Sequence, residues 1–193
     1  MSHTIYNTEA FVMSTRHSGE ADKTFRLFTK DFGVLTAKAT SIRKLESRLR
    51  FFVQDYKYID VSLVKGRNYW RLVSARPIHE LNSKKSLTTP SRIRSLQLIG
   101  RLAPGEEPHE HLFEELVAAY EFTSREKLGG AIIESVEALL ALKILHAFGY
   151  WGEGATDDLV KSPFTQDAIA RVAEGKSEII REVNKSLAAT QLL

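Results

Sequence analysis

Residues 8–40, TEAFVMSTRHSGEADKTFRLFTKDFGVLTAKAT, decide the fold of the first half of the chain. Apolar and polar residues alternate through TEAFVMSTR, KTFRLFTK and VLTAKAT, as they do in strands that bury one face. In the first of these runs, Ala10, Val12 and Ser14 are expected to share the buried face. SGEAD and DFG, between the runs, contain the residues of tight turns. The stretch therefore predicts three consecutive strands.

Two longer alternating runs follow, DYKYIDVSLV at 55–64 and NYWRLVSAR at 68–76. They are joined by KGRN, in which Gly66 is expected to supply the positive φ that a hairpin turn often needs. The longest irregular connection, 41–53, then lies between the third and fourth strands. Five strands with an inserted segment at that point are the outline of the OB-fold, and a small SH3-like barrel fits the strand count nearly as well.

The second half of the chain changes to a hydrophobic period of 3.6 residues, which predicts helices. The first helix is expected to begin at Pro90 and the second at Pro108, since proline is favoured at the first helical position. Thr123 and Glu126 have the spacing of a capping box for a third helix, which should continue to Gly149.

Two more helices are predicted at about 165–174 and 178–191, behind the caps Thr165 and Ser177. The polar stretch ELNSKKSLTTP reads as the boundary between the two halves. The predicted class is α+β, a five-stranded OB-fold barrel followed by an all-helical domain. The domains are a barrel at 1–80, a linker at 81–90 and the helical domain at 91–193.

Composition excludes several classes of function. The 193 residues include no cysteine, so disulfides, thiolate-bound zinc and cysteine nucleophiles are excluded. No run of eighteen apolar residues and no signal-peptide pattern occurs, so a soluble, cytoplasmic protein without a membrane partner is expected. Phosphate-binding loops, metalloprotease helices and nucleophile elbows are missing, so we expect no enzyme activity, cofactor or small-molecule substrate.

Charge is divided unequally between the halves. Residues 1–100 carry 18 Lys and Arg against 8 Asp and Glu, whereas residues 101–193 carry 9 against 16. A basic domain is suited to phosphate contacts, and an acidic one is not. The split therefore suggests that the two domains have different partners.

The basic residues concentrate in the barrel and in its insertion, SIRKLESRLR at 41–50. Strand alternation and the loop can bring them to one groove that follows a sugar–phosphate backbone. The candidate nucleic-acid-binding residues are Arg16, Lys23, Lys38, Arg43, Lys44, Arg48 and Arg50, with Lys30 nearby. Because no base-reading pattern is visible, binding should tolerate any sequence and depend strongly on salt.

Aromatic residues near these cations offer base-stacking surfaces, although most are expected to fill the barrel core. They are Phe25, Phe28, Phe32, Phe51, Phe52, Tyr56 and Tyr58. Two histidine features carry less weight. In PHEHLFEE, His111 and Glu115 share a helical face but His109 does not, so only a partial metal site is possible. His146 is interpreted as a packed or capping residue near a helix end.

The order of residues in 10–56 resembles the N-terminal domain of the RecO family of bacterial recombination mediators. The resemblance consists of a strand ending in Arg, a Gly-Glu-x-Asp turn, a strand closing in Phe-Thr, an acid and a Gly, and a basic loop with Ser and Leu. These positions are Arg16, Gly19, Glu20, Asp22, Phe28, Thr29, Asp31, Gly33, Lys38, Arg43, Lys44, Ser47 and Leu49. LVKGRNYWRLVSARPIHE and ALLALKILHAFGYW also resemble family segments.

The resemblance implies a protein that binds single-stranded and duplex DNA and anneals complementary strands. It implies RecR and the single-strand-binding protein as partners, RecA loading in recombinational repair, and a place at the bacterial nucleoid. A protein-interaction adaptor and an OB-fold RNA-binding factor are the alternatives, with an unrecognised enzyme behind them.

Two departures from the family pattern bear on the helical domain. The four-cysteine zinc site of many members is missing, so we expect apolar packing alone to hold the region after the Gly-Tyr helix. The pocket for the acidic tail of the single-strand-binding protein should have a basic rim, but helix 131–148 offers Lys143 as its one cation beside Glu134 and Glu137.

Overall fold

The computed structural model describes residues 4–42, 49–78, 90–125, 128–151 and 156–189. The chain divides into two compact units. The barrel unit is Met1–Leu87 with Ala103–Glu110, and the helical unit is Thr88–Leu102 with His111–Leu193. Most of the predicted linker lies outside the described residues, apart from Pro90, which begins a helix.

The barrel unit contains five strands and one short helix among its described residues. They are β1 (Ile5–Ser18), β2 (Asp22–Thr29), β3 (Gly33–Ala39), α1 (Leu49–Phe52), β4 (Tyr58–Lys65) and β5 (Trp70–Pro77). The strands close in the order β1-β2-β3-β5-β4. β3 pairs with β5 in parallel and the other pairs are antiparallel. The predicted OB-fold barrel is confirmed, and the insertion between β3 and β4 contains α1.

The barrel interior is filled by the inward residues of every strand, including Phe25, Leu27 and Trp70. Ala10 and Val12 belong to it, as the alternation predicted. A β-bulge shifts the register of β1 between Val12 and Ser14. Because one residue reverses the face of every later side chain, Ser14 pairs with exposed Arg26, and its predicted inward position was wrong.

Two glycines of the barrel are required for different reasons. Gly33 opens β3 with φ +67°, and a Cβ on it would lie 2.0 Å from the carbonyl oxygen of Glu107. Gly66 does not have the positive φ predicted for it. Position 66 has no room for a side chain, because a Cβ there would lie 2.6 Å from the carbonyl oxygen of Tyr69.

The stretch Ala103–Glu110, here called the acidic segment, belongs to the barrel unit. The Val34 amide donates to the carbonyl oxygen of Gly105 at 2.9 Å. Two ion pairs of 3.3 Å, Lys30 with Glu110 and Lys65 with Glu106, attach the segment further. β3 pairs with β5 only near its end, at Ala37 and Lys38. At the start of β3, the acidic segment takes the place of a neighbouring strand by accepting the Val34 amide.

The helical unit has five helices among the described residues. They are α2 (Pro90–Leu102), α3 (Glu110–Arg125), α4 (Gly130–Ala147), α5 (Asp157–Lys161) and α6 (Gln166–Ala189). Although α3 begins with Glu110, the contacts of that residue place it in the barrel unit. None of these helices is both long and apolar enough to cross a bilayer.

Some of the predicted helix starts agree with the structure and others do not. The Pro90 start is confirmed, and Thr165 caps α6 by accepting the Ala168 amide at 3.2 Å. The capping-box prediction was wrong, because the Thr123 hydroxyl donates to carbonyl oxygens of its own helix, α3. The break predicted before Ser177 was also wrong, since α6 runs through Gly175 without interruption. One glycine inside a long amphipathic helix costs about 1 kcal/mol, too little to end it.

A buried lysine connects three helices of this unit. Lys143 of α4 has a side chain only 3% exposed, and its Nζ donates to Glu115 Oε1 of α3 at 2.9 Å. The same Nζ donates to the carbonyl oxygen of Val160 in α5 at 2.7 Å and lies 5.5 Å from the centre of the Phe164 ring. The sequence had suggested that apolar packing alone holds the region after the Gly-Tyr helix. The hydrogen bond from Lys143 to Val160 shows that this prediction was wrong.

A second buried cation joins α2 to α3. Arg92 Nη2 donates to the Tyr120 carbonyl oxygen and the Ser124 hydroxyl, both at 3.0 Å, and its guanidinium lies over the Tyr120 ring. Burial lowers the pKa of Arg92 to about 10 and raises the pKa of Tyr120. Arg92 therefore stays charged at neutral pH.

Candidate nucleic-acid interface

Four cations lie on the outer face of the barrel in two adjacent cross-strand rows. In the first row, Arg16 of β1 is opposite Thr24 of β2, which is opposite Lys38 of β3, which in turn pairs with Arg71 of β5. In the neighbouring row, Arg26 lies between Ser14 and Thr36. The rows are about 7 Å apart along the strands, and adjacent strands are about 5 Å apart. We call Arg16, Arg26, Lys38 and Arg71 the basic face.

One acid lies beside the basic face. Asp22 Oδ2 accepts from Lys38 Nζ at 3.0 Å, and Asp22 Oδ1 accepts from the Ser41 amide at 2.9 Å. The Ser41 amide first and Lys38 second lower the pKa of Asp22, and the hydrogen bond to Asp22 raises the pKa of Lys38. Both groups are thus charged at neutral pH. Neither Arg16 nor Arg71 has an acidic partner among the described residues.

The insertion at 41–50, here called the basic loop, is anchored in the barrel at both ends. Ser41 is held by Asp22, next to the first row, and the following Ile42 is buried in the barrel core. On the other side, Leu49 and Phe52 of α1 pack on the same core, and α1 contacts β5. The loop therefore leaves the barrel beside Lys38 and returns at the strand that carries Arg71.

The predicted basic residues fall into three groups. Arg16 and Lys38 belong to the basic face. Lys23 is two residues before inward Phe25 and so lies on the same, inward side of β2, away from the basic face and half-buried at the strand end. Arg50 of α1 is half-buried with its guanidinium 4.5 Å from the centre of the Phe51 ring. Arg43, Lys44 and Arg48 lie outside the described residues.

Sequence reasoning missed Arg26 and Arg71. Arg26 stands between the inward residues Phe25 and Leu27, so alternation alone indicates its outward position. Arg71 follows buried Trp70 and had the same local signal. Its place beside Lys38 depends on the parallel pairing of β3 and β5, which no local pattern predicts.

Most of the predicted stacking aromatics are occupied elsewhere. Phe25, Phe28 and Tyr58 are buried, and Phe32 packs against Tyr6 and Trp70 with ring centres 5.5 and 5.1 Å away. Of the seven, Phe25 lies in the barrel core and Phe32 and Phe52 pack against it. Phe28 and Tyr58 are buried outside that core, Tyr56 is half-buried and Phe51 is exposed, so the expectation that most of the seven fill the interior holds for three of them.

The histidine features give no metal centre among the described residues. Glu115, which shared a predicted face with His111, is the partner of Lys143. His146 is exposed rather than packed, and its carbonyl oxygen accepts from the Gly149 amide at the end of α4.

Together, these features define the chain as an OB-fold protein with a basic outer sheet face and a separate helical unit. Residues 1–81 match the family model described as Recombination protein O N terminal. A DNA repair protein RecO from Heliobacterium modesticaldum is 29% identical over 151 residues, which cover 77% of this chain and 53% of that protein.

Two further RecO proteins are similar. One from Desulfitobacterium hafniense is 26% identical over 153 residues, 76% of this chain and 52% of its own length. One from Alkaliphilus metalliredigens is 36% identical over 73 residues, 38% of this chain and 30% of its own length. Residues 1–81 therefore match the N-terminal family model of RecO, and about three quarters of the chain is similar to DNA repair proteins RecO. The chain spans about half the length of the first curated relatives it matches.

Proposed function

We propose that the barrel binds single-stranded and duplex DNA on its basic face and basic loop, and that this binding promotes annealing of complementary strands. The observation that carries the proposal is the row formed by Arg16, Lys38 and Arg71, which crosses four strands. Cations arranged at that spacing can contact successive phosphates of one backbone. Arg43 and Lys44 directly follow Ile42 in the sequence, and the proposal assigns them further phosphate contacts.

Annealing follows from charge neutralisation. Two DNA strands repel each other through their phosphates, and this repulsion opposes pairing most strongly at low salt. A protein that binds one strand on the basic face and a second through the loop reduces the repulsion. The barrel performs no covalent chemistry in this proposal and acts as a binding protein, not as an enzyme.

Annealing of two labelled complementary oligonucleotides, followed by energy transfer between about 50 and about 300 mM salt, tests the proposal. We expect the protein to accelerate annealing at the lower salt concentration. Charge reversal in the loop, Arg43→Glu with Lys44→Glu and Arg48→Glu, should abolish both strand binding and annealing. Reversal of exposed Arg171 and Lys161 in the helical unit is the control and should change neither.

Each contrary outcome favours a different alternative. If the unaltered protein neither binds DNA nor accelerates annealing at low salt, the mediator function is wrong and the adaptor alternative is favoured. If it binds RNA about tenfold more tightly than DNA of the same sequence, the RNA-binding alternative is favoured.

For the helical unit we propose a groove that receives the acidic, apolar tail of the single-strand-binding protein. The groove, of about 410 Å³, lies between α2, α4 and α6 and is lined in part by Leu98, Ala141 and Leu187. Arg94 and Arg101 lie at its edge. Arg94 makes a two-pronged ion pair with Glu137, whereas Arg101 has no acidic partner among the described residues. Arg101 is thus the cation most available to a carboxylate.

Binding of a labelled peptide with the tail sequence tests this groove. Arg101→Glu should abolish peptide binding and leave DNA binding by the barrel intact, while Arg171→Glu should leave both intact. Retention of peptide binding by Arg101→Glu would place the tail elsewhere. We further propose RecR as a partner and RecA loading on coated DNA as the outcome, supported by the similarity of this chain to RecO proteins.

A further inference from the structure

Tyr69 is an exposed aromatic residue at the end of the basic face. It immediately precedes β5 and is 49% exposed, whereas the next residue, Trp70, is buried in the barrel core. The Gly66 amide donates to the Tyr69 carbonyl oxygen at 3.1 Å, and the space at Gly66 admits no side chain. The tight turn therefore fixes the backbone that presents the ring.

The register of the sheet places Tyr69 among the cations. Ala37 pairs with Trp70 and Lys38 pairs with Arg71, so one step back along both strands brings Tyr69 beside Thr36. Since Thr36 is opposite Arg26, the tyrosine continues the second row. Tyr69 also contributes, after Asp22, to the raised pKa of Lys38, which agrees with a position near that ammonium group.

Other aromatic rings of the barrel unit are already in contact with protein groups. Phe11 stacks on Tyr58 with ring centres 4.6 Å apart, and Tyr6 packs edge-on against Trp70. Phe51 is exposed, but the guanidinium of Arg50 covers its ring. Within the described part of the barrel, Tyr69 is the exposed ring that neither a second ring nor a cation covers.

We propose that Tyr69 stacks on a base of single-stranded DNA whose phosphates lie on the basic face, and that this contact gives the barrel its preference for single strands over duplex. The inference rests on the proposed DNA-binding function. A base in a duplex is stacked between its neighbours and cannot offer its face to a side chain, whereas an unpaired base can. Stacking needs no base-specific hydrogen bond, so the contact tolerates any sequence.

Substitution of Tyr69 separates stacking from charge. Tyr69→Leu removes the ring but no charge, so affinity for a labelled single-stranded oligonucleotide should fall by about 5- to 150-fold. The slope of log affinity against log salt should stay the same, because the number of phosphate contacts is unchanged. Affinity for the corresponding duplex should not change, which also checks that the barrel remains folded. Tyr69→Phe keeps the ring and should behave as the unaltered protein.

Tyr150→Leu, which removes an exposed tyrosine ring of the helical unit, is the matched control and should not reduce single-strand affinity. The inference is overturned if Tyr69→Leu binds single strands normally, or if it weakens single-strand and duplex binding equally. In either case the unaltered protein still binds DNA and the proposed function stands. Failure of the unaltered protein to bind any DNA at low salt would overturn the proposed function and this inference together.

Discussion

Lys143 is predicted to be a major source of stability in the helical unit. Its Nζ holds the Glu115 carboxylate of α3 and the Val160 carbonyl of α5, and its side chain is 3% exposed. Lys143→Ala would leave the Glu115 carboxylate, 15% exposed, without its cation and the Val160 carbonyl without its donor. Breaking a buried ion pair by removing one partner costs about 3–5 kcal/mol, so we expect the free energy of unfolding to fall by that amount.

Removal of both charges should cost much less. In the double variant Lys143→Met with Glu115→Leu, no charge remains buried, and apolar replacements of similar size are often neutral. The Val160 carbonyl still lacks a donor, which costs about 1–3 kcal/mol. The double variant is therefore expected to be more stable than Lys143→Ala alone.

Urea unfolding followed by far-ultraviolet circular dichroism measures these differences, because most of the helical residues belong to the helical unit. Lys161→Ala, at an exposed lysine in α5, is the matched control and should change stability by less than about 0.5 kcal/mol. If Lys143→Ala unfolds at the same urea concentration as this control, the assignment of Lys143 as a structural anchor is wrong.

Three other substitutions test separate parts of the account. Gly33→Ala should destabilise the barrel more than Gly19→Ala does. Both residues have positive φ, where a side chain costs about 1–2 kcal/mol, but only at Gly33 would the added Cβ also clash with the acidic segment. Equal urea midpoints for the two variants would contradict this. Asp22→Asn should raise single-strand affinity about fivefold at about 0.1 M salt in a fluorescence anisotropy assay, because Lys38 loses its acid, and unchanged affinity would argue against a role for Lys38. Gly175→Ala should raise thermal stability by about 0.5–1 kcal/mol, since α6 is continuous there, and a loss of stability would indicate that the helix needs the glycine.

Local patterns in the sequence predicted the strands well because each strand buries one face. Alternation identified Ala10 and Val12 as inward, and the turn residues separated β1, β2 and β3. The bulge that reverses Ser14 has no such signal, because one extra residue leaves the alternation on either side intact.

Long-range pairings were beyond the same reasoning. The basic face requires β3 to lie beside β5, and that contact forms only when the barrel closes. The acidic segment likewise reaches Val34 from between two helices. Lys143 reads in sequence as a surface cation of an apolar helix, and its burial depends on Glu115 and Val160 from separate helices.

Predictions of helix boundaries were wrong where one residue type is found both at helix ends and inside helices. Thr123 has the spacing of an N-terminal cap, but a threonine in the last turn of a helix can donate to that helix's own carbonyl groups, as this one does. Gly175 resembles a stop signal, although the apolar stripe of α6 continues through it.

The salt dependence of single-strand binding, compared between the unaltered protein and Arg16→Gln with Arg71→Gln, tests the central claim most directly. Each phosphate contact contributes about −0.7 to the slope of log affinity against log salt, so loss of two should reduce the slope by about 1.4. At about 0.1 M salt, affinity should then fall about 25-fold. The control, Arg171→Gln with Arg181→Gln in α6, changes net charge equally and should leave the slope unchanged. A slope that is unaltered in the barrel variant, or reduced equally in the control, would contradict DNA binding by the basic face.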